Sequence, residues 1–176
     1  MRTRVVLTLT GPDRVGIVEE VTRILLELGG NVETSRMARL GGEFAIIMLA
    51  SLPGDHAESL TAAFADLQAQ GYKLTASQTD DSVADAHRGW LPYRVSVHGA
   101  DHEGIIHEIA AELSSRGINI ESMETGTSEA PVSGTPLFEM VALVAVPPDL
   151  AETDWIWAVA EAGSQANVDI EVVPAD

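Results

Sequence analysis

The chain has 176 residues, 45% of them apolar, which is ample for packed cores, yet no apolar run approaches the ~18 residues of a membrane span. Its formal charge is -17 with a single lysine, Lys73, so the field of the whole molecule repels a nucleic-acid backbone and excludes direct DNA or RNA binding as an expectation. There is no cysteine, which removes disulfides, thiolate metal sites and cysteine nucleophiles.

Met1-Arg2-Thr3-Arg4 runs straight into a strand, without the apolar core of a signal peptide, so a cytoplasmic location is expected. Val5, Leu7 and Leu9 alternate with Val6, Thr8 and Thr10, which predicts that first strand. It turns at Gly11-Pro12-Asp13-Arg14-Val15-Gly16-Ile17-Val18, a corner that opens directly into a helix. From Arg14 to Leu28 the apolar positions Val15, Val18, Val21, Ile24, Leu25 and Leu28 keep helical spacing. Asp13 sits where an N-cap belongs, and Gly29-Gly30 supplies the stop. Asn31 to Leu40 reads as a second strand, Gly41-Gly42 as a hairpin turn, and Glu43 to Leu52 as a third strand. Beyond Pro53-Gly54-Asp55, His56 to Gln70 reads as a second amphipathic helix and Tyr72 to Gln78 as a fourth strand. The order is βαββαβ.

Thr79 to Leu91 is polar and acidic and suits a linker, with Trp90 placed to staple it to one domain. The plan then repeats. Gly99-Ala100-Asp101-His102-Glu103-Gly104-Ile105-Ile106 carries Gly, Asp, Gly and Ile at the positions of the first corner, 88 residues later (99 less 11). Gly117-Ile118-Asn119-Ile120-Glu121 repeats Gly29-Gly30-Asn31-Val32-Glu33 at the same offset. A strand at 93–97, a helix at 104–116, strands at 118–125 and 137–146, a helix at 151–162 and a strand at 168–173 complete the second copy. The reading is an α+β chain of two βαββαβ domains in tandem, 1–79 and 92–176, joined by a linker at 80–91. Each has an antiparallel sheet with its helices on one face.

Two features break the symmetry or extend it. The second hairpin, Thr125 to Pro136, is long, and its Ser/Gly/Pro content favours a mobile loop. The third strands, Phe44 to Leu49 and Phe138 to Val144, are apolar on both faces apart from Glu139. Helices cover only one side of such a sheet, so a second sheet, in the same chain or another copy, is expected against the other.

Each corner offers the first N–H groups of a helix, around Val15-Gly16-Ile17 and Glu103-Gly104-Ile105, at the positive end of its dipole. Such a corner holds a small carboxylate. Gly16 and Gly104 are expected to admit close backbone approach. Asn31 and Asn119, each with a donor and an acceptor, open the following strands at the far end of their own helix, so each could serve a neighbouring domain's corner. Histidines 98, 102 and 107 lack metal-ligand spacing and have no counterparts in the first copy, so they are read as solvent-facing. No nucleophile–base–orienter set, P-loop or dinucleotide fingerprint is visible, and neither a catalytic residue nor a cofactor or metal is expected. Arg14 is the nearest candidate for an arginine that cradles an anion.

The corner D-x-x-G-I, the helix and then G-x-N-[VI]-E resemble the ACT domain in both halves. In the first half, Gly11 to Val18 and Asn31 to Phe44 are similar to the glycine cleavage system transcriptional repressor family. The resemblance implies a ferredoxin-like regulatory fold that binds amino acids. It implies two such domains without a catalytic or DNA-binding domain, acting through another regulatory protein. Carried over, Asp13, Gly16, Ile17 and Asn31 would serve one site, and Asp101, Gly104, Ile105 and Asn119 the other, with ligand held between paired domains. The expectation is a homo-oligomeric sensor of a small amino acid such as glycine. Its rival is a dimerisation module whose corners only cap helices.

Overall fold

The computed structural model describes residues 2–54, 56, 59–80, 86–131, 134–150 and 152–175. The chain forms two compact units, Met1–Asp85 and Ala86–Asp176. The first contains β1 (Arg2–Pro12), α1 (Ile17–Glu27), β2 (Asn31–Leu40), β3 (Glu43–Pro53), α2 (Leu60–Ala63), α3 (Ala65–Ala69) and β4 (Lys73–Thr79). The second contains β5 (Leu91–Ala100), α4 (Ile105–Ser115), β6 (Asn119–Glu129), β7 (Pro136–Val146), α5 (Glu152–Gln165) and β8 (Val168–Pro174). Both units are βαββαβ, and their antiparallel sheets run β2-β3-β1-β4 and β6-β7-β5-β8. None of the described helices is long and apolar enough to cross a membrane.

Period-two alternation decides which side of each sheet is dry. Val5, Leu7 and Leu9 of β1 and Ile46, Met48 and Ala50 of β3 point inward, onto Ile17, Val21, Ile24 and Leu25 of α1. Leu60, Phe64 and Leu67 complete that core. The second core repeats the scheme with Val95, Val97, Met140, Ala142, Ile105, Ile109 and Leu113. There Trp155 of α5 is fully buried, its ring edge-on to Tyr93 with centroids 5.0 Å apart. Burying each such large side chain is worth about 1.5–3 kcal/mol.

The described part of the linker includes a turn in which the Trp90 N–H donates to the His87 carbonyl, and the two rings lie 4.3 Å apart. Trp90 thus has its ring neighbour in the linker itself.

Two expectations are corrected. The helix expected over 56–70 is two short ones that part at Phe64, whose φ of -94° and ψ of 10° leave the helical ladder. Residues 55, 57 and 58 of that stretch lie outside the described residues. The loop expected from 125 to 136 is mostly hairpin. Thr125, Thr127 and Glu129 pair with Met140, Phe138 and Pro136, so the apolar β7 draws a polar, glycine-bearing partner into its ladder. Beyond Glu129 the Ala130 N–H donates to Thr135 O at 2.9 Å, and residues 132 and 133 lie outside the described residues.

Candidate functional site

β1 and β5 lie inside their sheets, each between two partners, so the corner that follows is gripped from both sides. On one side, the Asp13 N–H donates to Gly42 O at 3.0 Å and the Asp101 N–H to Pro136 O at 2.9 Å. These bonds tie each corner to the adjacent hairpin. On the other side stands the turn before the last strand. Tyr72 Oη donates to Pro12 O at 2.6 Å.

The helices begin later than the sequence suggests. Gly16 and Gly104 are themselves the N-caps, with φ of 89° and 101°, and neither helix start has a side-chain cap. Asp13 therefore does not cap α1. Its carboxylate instead pairs with Arg39 Nε of β2 at 2.6 Å. The glycines are required by their left-handed backbone, since nothing lies within 4 Å of a Cβ built on Gly16. Tight packing within the fold belongs instead to Gly11 and Gly99. A Cβ there would stand 2.5 Å from Tyr72 Cδ1 and 2.7 Å from Val168 Cγ1.

This geometry leaves backbone donors open. Among the described residues, the N–H groups of Val15, Gly16, Val18 and Glu19 have no partner, and the same holds for Glu103, Gly104, Ile105 and Ile106. Ile17 is weakly held by Arg14 O at 3.4 Å. Ile17 and Ile105 bury their side chains in the cores and present only backbone to the corner, whereas the Val15 side chain is fully exposed. The second corner opens on a groove of about 440 Å³ lined by Asp101, His102, Gly104, Ile106, His107 and Phe138.

Arg14 and His102 occupy the same step of the two corners, and each is anchored by its own unit. Arg14 hydrogen-bonds Glu20 and Gln70 and lies 5.7 Å from the Tyr72 ring centre. The bond to Glu20 holds its pKa above the ordinary arginine value. His102 is exposed but not merely solvent-facing. Its Nε2 lies 2.5 Å from Ala166 O and its Nδ1 3.0 Å from Glu103 O. Carbonyl oxygens only accept, so each contact asks for hydrogen on its ring nitrogen and the two together favour the doubly protonated ring. The bond to Ala166 O, then that to Glu103 O, raise its pKa above 6.5.

Asn31 and Asn119 stand apart from their own corners, at the starts of β2 and β6. Asn31 lines a second groove, of about 400 Å³, with Glu19, Thr22, Arg23 and Leu26. Neither asparagine side chain has a hydrogen-bond partner among the described residues. The structure thus gathers the corner residues within each unit and leaves the asparagines at the other end. Among the described residues, no group of three or more His, Asp or Glu could hold a metal ion. Sequence reasoning missed Phe138, Gln70 and Tyr72. The available signal was the Arg14/His102 correspondence, which asks what a cation does in both corners.

The ACT domain pattern matches residues 3–77 and again residues 93–152, and the chain belongs to this family of small-molecule-binding regulatory domains, with two copies in tandem. The fold just described is the ferredoxin-like fold of that class. Among curated proteins, it is similar to the glycine cleavage system transcriptional repressors of Escherichia coli (strain K12) and Shigella flexneri. It is 32% identical to each over 127 residues, 71% of this chain. The chain spans 65% of the length of these relatives. The crystal structure of an unknown protein from Galdieria sulphuraria is 32% identical and superposes with a TM-score of 0.89 over 100% of both chains. A second solved structure, 20% identical with a TM-score of 0.69 over 99% of both chains, shares the fold.

Proposed function

We propose that this protein is a non-enzymatic, cytoplasmic sensor of a small amino acid that regulates by contact with another protein. The observation that carries the reading is the pair of helix-opening corners whose N–H groups are unpaired, one of them facing a 440 Å³ groove. A carboxylate accepts from such amides and gains about 0.3–1 kcal/mol from the helix dipole. The free amide of Asn31 or Asn119, brought to a corner by another domain or subunit, supplies a partner for the ammonium end. Binding of micromolar to millimolar strength fits so few contacts, and is what a metabolite sensor needs. Glycine is the first candidate, on the similarity to the glycine cleavage system repressors. The acidic surface, at -17 overall, suits a protein partner with a basic face. To have any effect the ligand must favour one arrangement of the protein over another.

Calorimetric titration with glycine, serine and the branched-chain amino acids tests the reading. Heat and a raised melting temperature with at least one of them are expected, and both are lost in Asn31→Ala with the fold retained. Absence of heat and melting shift with all of them removes the sensor role.

A further inference from the structure

The strand registers also assign the side of each sheet that the helices do not cover. In the first unit this outer face carries Val6, Ile47 and Leu49 at its centre, since Val6 opposes Leu49 and Thr8 opposes Ile47. Ile47 is 51% exposed. In the second unit the central strip is Val141 and Leu143, 43% and 40% exposed, opposite Ser96 and Arg94. Each strip is apolar, at the middle of four strands, and open.

The charges around the two strips differ in sign. Arg36 opposes Ile47 and Lys73 opposes Thr10, so both stand on the first outer face with Arg2 and Arg4, which alternate with Val6 along β1. Against these four cations are two carboxylates, Glu43 and the bulge residue Glu33, the latter bonded to Arg4 at 2.9 Å. That face is net +2, on a chain whose total is -17. The second outer face holds Glu124, Glu139, Asp169, Glu171 and the matching bulge residue Glu121 against Arg94, a net of -4 with His98 counted neutral. Two copies of the second face would set like charges around a strip that must lose water. The first face against the second sets opposite charges there.

We propose that the chain self-associates, the outer face of the first sheet in one copy seating on the outer face of the second sheet in another. Four strands ~4.8 Å apart, at ~3.3 Å per residue, give a face of about 500 Å². One such pairing buries about 1,000 Å² in total, the low end for a specific contact, and a reciprocal pairing doubles it to the size of stable interfaces. Reciprocity also closes the assembly at two copies instead of leaving an open chain.

Sedimentation equilibrium of the full chain across concentration and salt tests this. The wild type is expected to be a dimer that weakens as salt rises, because opposite charges are screened. Arg36→Glu with Lys73→Glu turns the first face to -2. Glu124→Lys with Glu139→Lys and Glu171→Lys turns the second to +2. Either set alone opposes like signs and weakens the dimer by about tenfold or more. The chain carrying both sets opposes -2 to +2 and returns to wild-type association. Circular dichroism confirms that each variant is folded. A wild type that is monomeric throughout, or that associates more tightly in salt, overturns the proposal. So does a one-face variant that dimerises unchanged, or a folded two-face variant that stays dissociated.

Discussion

Arg14 and His102 stand 88 residues apart (102 less 14) and make the same link by different chemistry. Arg14 Nη2 donates to Gln70 Oε1 at 3.3 Å, and His102 Nε2 donates to Ala166 O at 2.5 Å. Gln70 and Ala166 each precede a left-handed residue, Gly71 with φ 97° and Asn167 with φ 53°, that starts the turn into the last strand. A cation on the corner thus pins the end of the second helical segment in both units. The arginine does so at any pH; the histidine needs hydrogen on Nε2 for this bond, and on both nitrogens to keep the bond to Glu103 O as well.

A pH dependence follows. The folded pKa of His102 lies above its unfolded 6.5, so its contribution is complete below that value and is lost as pH rises through the folded one. Asp101 and Glu108, which face it, favour the charged ring as well. The melting temperature of the wild type should exceed that of His102→Gln most on the acid side, and the gap should narrow as pH climbs through the raised folded pKa. A gap that does not change with pH would show that the ring donates only one hydrogen.

The two kinds of corner glycine should fail differently. Gly16→Ala and Gly104→Ala force an alanine into a left-handed backbone without a steric clash, at a cost of about 1–2 kcal/mol in urea denaturation. Gly11→Ala also drives a methyl into the Tyr72 ring, so its loss should exceed theirs and fall when Tyr72→Leu is combined with it.

Asp13 offers a sharper check on its reassignment. Paired with Arg39, whose side chain is 67% exposed, it should be worth no more than about 1 kcal/mol. Asp13→Ala and Arg39→Ala should shift the denaturation midpoint by similar small amounts and be non-additive together. A larger loss in Asp13→Ala alone would restore the capping role.

Trp155 is fully buried, and its Nε1–H has no hydrogen-bond partner among the described residues. Trp155→Ala should cost about 3–5 kcal/mol. Trp155→Phe should cost much less, because the smaller ring also removes a buried donor that nothing satisfies. Thermal melts of the two variants measure the difference.

Much of this fold was legible in the chain. The alternation of Val5, Leu7 and Leu9 and the spacing of Val21, Ile24 and Leu25 each mark one buried face, and β2 begins and ends at the expected Asn31 and Leu40. What could not be read is what depends on partners far away in sequence. Thr125 to Glu129 has a loop's composition and becomes strand because β7 lies beside it. Asp13 carries the mark of an N-cap, but the same residue before a helix also fits a salt bridge to the neighbouring hairpin, and Arg39 decides between them. His102 is exposed, as the sequence suggests, but its bond to the backbone carbonyl of Ala166 is one that no side-chain pattern announces.

The burial of Trp155 beside Tyr93 has an optical consequence. All three tryptophans, Trp90, Trp155 and Trp157, fall in the second unit, while the first has none. Trp155 is shielded from water and Trp157, two residues along the same helix, is 69% exposed, so a soluble quencher should silence one and spare the other. Indole emission therefore reports unfolding of the second unit alone, whereas far-ultraviolet dichroism sums both. Any separation between those two curves measures how far each half melts without the other.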